Sequence, residues 1–261
     1  MFKNIIFKKD GAVAKIIINR PRVKNALDEA TTQELVEALK NVEFDESVKV
    51  VIISGAGGSF SVGADFSQLQ VFHQSEPAEI KRKIDFFHFE VIYRIANFPK
   101  PTIAVVDGDA VGGGFGIVLA CDFIIASENA RFSQIFSRIG LIQDSGATFF
   151  LPKIIGLLKA KELILTGDII DAWEAERIGL VNKVVPKEKL EDEVNKLVEK
   201  LVKNPGKALS LAKMVLNMGV NLDLKSTLNL ESAVQSLCLK SEEHLKIFKE
   251  FLERKKRKEQ T

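Results

Sequence analysis

The feature that most constrains this chain is the run Gly112-Gly113-Gly114-Phe115-Gly116, set between an apolar strand pattern and an apolar helix pattern. Upstream, Thr102-Ile103-Ala104-Val105-Val106 reads as a buried β-strand that runs into a tight turn at Asp107-Gly108. Downstream, Ile117 to Cys121 reads as the first turns of a buried helix. Glycines at such a junction let the backbone approach a ligand closely. The first-turn N–H groups of the helix have no partner within it, so they can donate to an oxygen that gains negative charge. The spacing is not the dinucleotide G-x-G-x-x-G, and no G-x-x-x-x-G-K-[ST] phosphate loop occurs. Alone, a glycine triplet reads as a turn. A second loop of the same character, Gly57 to Phe66, follows the apolar strand Val50 to Ser54. Two strand-terminal loops that each offer a free N–H can converge on one oxygen, which is the geometry of an oxyanion hole.

Strand and helix patterns alternate. Strands are expected over Val13 to Asn19, Lys49 to Ser54, Thr102 to Val106, Phe123 to Ala126 and Val181 to Val185. Thr31 to Phe44 has helical periodicity, with a Thr cap and Glu34 placed for a capping box. Pro77 to Asn97 reads as one long helix with Ile80, Ile84, Phe87, Val91 and Ile95 on a single face. From Pro186 onward the pattern is helical only, over Glu188 to Val202, Pro205 to Asn217, Leu222 to Leu239 and Glu242 to Arg257. The expected organisation is an α/β region over 1–185 with a parallel-type sheet, followed by a helical region over 186–261.

Composition narrows the function classes. A chain of 261 residues, 46% of them apolar, can bury a large core. A net charge of +2 gives no argument for nucleic acid as a partner, and the basic run Arg254 to Lys258 reads as a solvated terminus. Cys121 and Cys238 lie far apart and do not form a disulfide framework, which favours a reducing, cytoplasmic compartment. No leader is visible in Met1 to Asp10, and no apolar run reaches the roughly 20 residues of a membrane span. His73, His88 and His244 lack metal-ligand spacing, and the serines lack the G-x-S-x-G elbow, so neither a metal centre nor a serine hydrolase is expected.

Asn19-Arg20-Pro21 with Asn25-Ala26-Leu27, then Phe60 to Asp65, Lys100-Pro101, Gly112 to Asp122, and Leu165-Thr166-Gly167-Asp168 resemble the enoyl-CoA hydratase/isomerase (crotonase) family in order and spacing. The resemblance runs from about Lys15 to the last helix. It implies a core of ββα turns wound into a spiral, and C-terminal helices that build trimers pairing into hexamers. It also implies an acyl-CoA thioester as substrate, with coenzyme A entering as part of the substrate and no separate cofactor.

Carried over by position, the resemblance makes Ala64 and Gly113 the two N–H donors to the thioester oxygen. Lys24, Ala26 and Leu27 align with positions that touch the nucleotide part of CoA, and Asp65 and Phe66, which follow the first donor, are also expected at the CoA. Asp65 reads as a residue that fixes its loop by hydrogen bonding. Phe251 and Arg254 align with positions on the last helix that reach the CoA of a neighbouring subunit.

The chain departs from the hydratase pattern at two places. Hydratases of the family carry one glutamate just after the glycine triplet and a second further along. Here those positions hold Gly116 and Phe136, neither of which can accept a proton. Read alone, Asp144 in Asp-Ser-Gly-Ala is the cap of a following helix. The resemblance instead makes it the single carboxylate of an isomerase. Phe132 to Gly146 is similar to the matching stretch of the ring-enlarging epoxyphenylacetyl-CoA isomerases. His88 is the second titratable group on offer. The expected function is therefore a double-bond or ring isomerase of acyl-CoA thioesters. The alternatives are hydration by an atypical site, another crotonase-type reaction such as nucleophilic attack by Asp144, and a catalytically silent acyl-CoA-binding protein.

Overall fold

The computed structural model describes residues 2–259, with side chains as far as residue 255. Lys256, Arg257 and Lys258 of the basic run lie outside the residues whose side chains are described.

The chain opens with an antiparallel pair, β1 (Ile5–Asp10) and β2 (Val13–Ile18), in which Ile5 lies opposite Ile18. In β2 the period-two pattern is realised, since Ala14, Ile16 and Ile18 are fully buried on one face. Helix α1 (Glu29–Glu43) follows and buries Leu35, Val36, Leu39 and Val42. Its cap differs from the sequence expectation. Asp28 is the N-cap and accepts from the N–H (2.7 Å) and hydroxyl (2.6 Å) of Thr31, so the threonine hydroxyl is already engaged. Glu34 closes no capping box. Its carboxylate accepts from the N–H groups of Lys3, Asn4 and Ile5, and so ties the start of β1 to the helix.

From there strands come in pairs, and the members of each pair enter different sheets. These are β3 (Val50–Gly55) and β4 (Ser59–Ser61), then helices α2 (Phe66–Phe72), α3 (Pro77–Phe87) and α4 (Arg94–Ala96). Next come β5 (Thr102–Val106) and β6 (Asp109–Val111) with α5 (Gly113–Ala120), and β7 (Phe123–Ser127) and β8 (Arg131–Ser133) with α6 (Ala147–Ile155) and α7 (Leu157–Thr166). The core closes with β9 (Ile169–Asp171), α8 (Ala172–Arg177) and β10 (Lys183–Val185). One sheet runs β1-β2-β3-β5-β7-β10 and the other β4-β6-β8-β9. Each ββα repeat thus adds one strand to each sheet, and the repeats stack as a spiral. The turns touch. A Cβ on Gly108, which sits at φ +86°, would run into the carbonyl oxygen of Gly58 in the preceding repeat. Phe60, Phe98, Phe115 and Phe132 are fully buried in the core so formed.

The segment between α3 and α4 is a π-helical turn, His88–Tyr93, so the expected long helix is continuous but wider in its middle. It begins at His88. Beyond β10 the chain is helical: α9 (Leu190–Val202), α10 (Gly206–Gly219), α11 (Leu224–Leu239) and α12 (Glu242–Glu259). Residues up to Glu199 form one compact unit and those from Lys200 a second. In the second unit Leu222, Leu224, Leu228 and Leu237 are exposed. No helix among the described residues is long and apolar enough to cross a membrane.

Candidate active site

The site starts from the pairing of β4 with β6. They are parallel neighbours, with Ser59 opposite Asp109, so the chain leaves both strands at the same edge of the sheet. One exit is Val62-Gly63-Ala64 and the other Gly112-Gly113, the start of α5. The two backbones touch: a Cβ on Gly63 (φ +83°) would lie 3.0 Å from the Gly113 nitrogen, and one on Gly114 would collide with the Ser61 carbonyl. Leu27 bridges to the first exit, donating to the Gly63 carbonyl (2.7 Å) and accepting from the Asp65 N–H (3.0 Å). Because neighbouring amides along an extended chain face opposite ways, this leaves the Ala64 N–H directed away from Leu27. Neither the Ala64 nor the Gly113 N–H has an acceptor among the described residues. The Gly113 amide also belongs to the positive end of α5.

A polar brace holds the Ala64 loop. Asn25, fully buried at φ +58°, donates from Nδ2 to the carbonyls of Ala56 (2.8 Å) and Ser59 (2.6 Å) and accepts from the Arg20 N–H (2.8 Å). Arg20 donates to the Ala26 carbonyl (2.6 Å) and pairs with Asp28 and Asp65, both at 2.9 Å. Asp65 is the N-cap of α2 and accepts from Ser67. Those bonds from Ser67, and then Arg20, hold its carboxyl below the ordinary range. Asp65 therefore fixes the loop. Of the other residues expected at CoA, Ala26 and Leu27 are buried and Phe66 is 80% exposed. Lys24 pairs with Asp109 at 3.0 Å and lines a polar cleft of about 460 Å³ with Arg131 and Asn129. Phe251 and Arg254 are exposed in the second compact unit.

The turn Asp144-Ser145-Gly146 meets the glycine loop from the other side. It does not cap α6 through a carboxylate: the N-cap is Gly146, without a side-chain bond, and the reading of Asp144 as a cap fails. Its carboxylate instead accepts from the Ser145 hydroxyl (2.7 Å, at Oδ1), and its Oδ2 lies 3.6 Å from Nε2 of His88. The Ser145 N–H donates to that same Nε2 (3.1 Å). Ser145 is 2% exposed and left-handed, at φ +53°. A Cβ on Gly113 would be 3.6 Å from the Ser145 hydroxyl and 3.5 Å from the Phe87 ring. The fold thus gathers Gly113, Ser145, Asp144 and His88 with an aromatic wall beside them.

The two positions that lack glutamate now have a spatial meaning. A Cβ on Gly116 would collide with Cβ of Ser145 and come within 2.7 Å of its carbonyl oxygen. The Asp144 turn occupies the space a side chain at 116 would need. The Phe136 ring covers Gly112, at 3.5 Å from where its Cβ would be. Among the described residues, no group of three or more His, Cys, Asp or Glu side chains could hold a metal ion. Ser145 went unassigned in the sequence, where it is one serine among many.

A two-sheet spiral of ββα repeats, with unpaired amides from successive repeats side by side, defines an enzyme of the crotonase-fold class. The family described as enoyl-CoA hydratase/isomerase matches residues 8–260. A short-chain-enoyl-CoA hydratase from Clostridium acetobutylicum is 38% identical over 97% of this chain and 96% of its own length. A 1,2-epoxyphenylacetyl-CoA isomerase from Escherichia coli is 31% identical over 94% and 93%. The crystal structure of an enoyl-CoA hydratase from Bacillus anthracis superposes with a TM-score of 0.90 at 33% identity, covering 97% of both chains. The chain belongs to the enoyl-CoA hydratase/isomerase family.

The packing at Gly116 generates a prediction. Replacing a helical glycine by alanine contributes about 1 kcal/mol of propensity, whereas overpacking costs about 1–3 kcal/mol. Gly116→Ala should therefore lower the denaturation midpoint despite its better helix former. A midpoint equal to or above wild type would mean that the Ser145 turn yields freely.

Proposed function

We propose that this protein is an isomerase of acyl-CoA thioesters that moves a double bond into conjugation with the carbonyl. The observation that supports this is the presence of the Asp144 carboxylate at the glycine loop, where positions 116 and 136 offer none. The thioester oxygen accepts from the Ala64 and Gly113 amides, which are fixed before charge develops on it. Asp144 takes a proton from the α-carbon of a 3-enoyl thioester, and the C–H electron pair flows toward the carbonyl as an enolate. The same carboxyl then returns the proton to the γ-carbon, leaving a 2-enoyl thioester. One carboxylate suffices for this balance. Addition of water requires a second group to hold and activate the water, and neither of the family positions supplies it.

Hydration is the second reading, and the name of the Clostridium relative favours it. In both readings Lys24, Ala26, Leu27, Asp65 and Phe66 flank the CoA, and Phe251 and Arg254 reach the CoA held by a second copy. The exposed leucines of the C-terminal helices are proposed to be covered in a trimer or hexamer. Sedimentation should find that assembly at micromolar concentration, and a stable monomer would contradict it.

Asp144→Asn keeps size and removes the ionisable group. Isomerisation of a 3-enoyl-CoA, followed by the absorbance of the conjugated product, should fall by about 10²–10⁴-fold, with CoA affinity little changed. A folded Asp144→Asn protein that still isomerises at the wild-type rate would remove Asp144 from the chemistry.

A further inference from the structure

We infer that Ser145 and His88 form a clamp on Asp144, one that occupies Oδ1 and leaves Oδ2 as the single proton-carrying oxygen. This rests on the reading of Asp144 as the proton carrier. The Ser145 hydroxyl donates to Oδ1 at 2.7 Å, which fixes the rotation of the carboxylate and uses up that oxygen's best lone pair. Oδ2 faces His88, whose Nε2 is 3.6 Å away, too far for a hydrogen bond. Nε2 accepts the Ser145 N–H at 3.1 Å, which engages its one lone pair, so His88 holds the Ser145 turn and through it the carboxylate. Oδ2, which has no hydrogen-bond partner among the described residues, takes the α-proton and passes it to the γ-carbon.

Three independent features converge on this arrangement. Ser145 is held left-handed, a conformation that serine adopts only when its surroundings impose it. It is almost fully buried, and the absent side chain of Gly116 leaves the space it fills. His88 begins the π-helical turn, an irregularity that recurs at functional sites. Neither residue needs to touch the substrate. Both are positioning residues that act through Asp144.

The test uses the full-length protein with 3-hexenoyl-CoA, measuring kcat and KM for isomerisation and the uptake of α-deuterium from D2O. Ser145→Ala and His88→Leu should each lower kcat by about 10- to 100-fold, with KM changed by less than about threefold. His88→Gln, whose side-chain oxygen can accept the Ser145 N–H, should recover most of the loss. In an Asp144→Asn background, His88→Leu should cost nothing further, because its effect runs through the missing carboxylate. Wild-type kcat in both single variants, or losses that multiply in the double variant, would overturn the clamp. Where His88→Leu does not fold, Ser145→Ala and His88→Gln decide. A wild-type protein that neither isomerises nor exchanges would overturn the base reading and the clamp together, whereas an active wild type with indifferent variants would overturn the clamp alone.

Discussion

The close approach of two backbones, Gly63 against Gly113, is the constraint on which the rest of this structure depends. It requires that β4 and β6 be parallel neighbours, that both end at the same edge, and that no side chain stand between their exits. The spiral supplies the first two conditions, because the three repeats that open with β3, β5 and β7 each send their second strand into the smaller sheet. Glycine supplies the third. Under the proposed function, the two donors, Ala64 and Gly113, are then aimed by the fold itself rather than by side-chain rotamers. Such donors need no reorganisation when charge develops, and loss of one typically costs about 10²–10³ in rate.

Around that contact, polar groups are used as rigid supports. Asn25 ties Ala56, Ser59 and Arg20 together, and Arg20 ties Ala26, Asp28 and Asp65. On the far side, left-handed Ser145 costs about 1–2 kcal/mol of backbone energy. Its two hydrogen bonds, to Asp144 and to His88, offset about 0.5–1.5 kcal/mol each, and more where the partner is charged. The two bonds outweigh the backbone cost, and the left-handed turn holds the carboxylate in place.

Much of this was legible in the sequence. The strands of the larger sheet announced themselves through apolar runs such as Val50 to Ile53 and Ile103 to Val106, and the glycine loops announced the close approach. The smaller sheet was not legible, because Ser59–Ser61, Asp109–Val111 and Arg131–Ser133 are too short to carry a period. β1 has no clear period either, because it is an edge strand whose second half is exposed. The cap of α1 is Asp28 and not Thr31, because the Asp28 carboxylate takes both the N–H and the hydroxyl of Thr31. At the site, Asp144 was visible as a carboxylate but not as an uncapped one. The role of Ser145 rests on contacts with Asp144, His88 and Gly116 that no local pattern encodes.

The most direct test of the central claim is a crystal structure with an acyl-CoA thioester bound. The account predicts the thioester oxygen within about 3 Å of both the Ala64 and Gly113 nitrogens, with the α-carbon turned toward Oδ2 of Asp144. A thioester oxygen bound away from either amide, or an α-carbon directed away from Asp144, would contradict it.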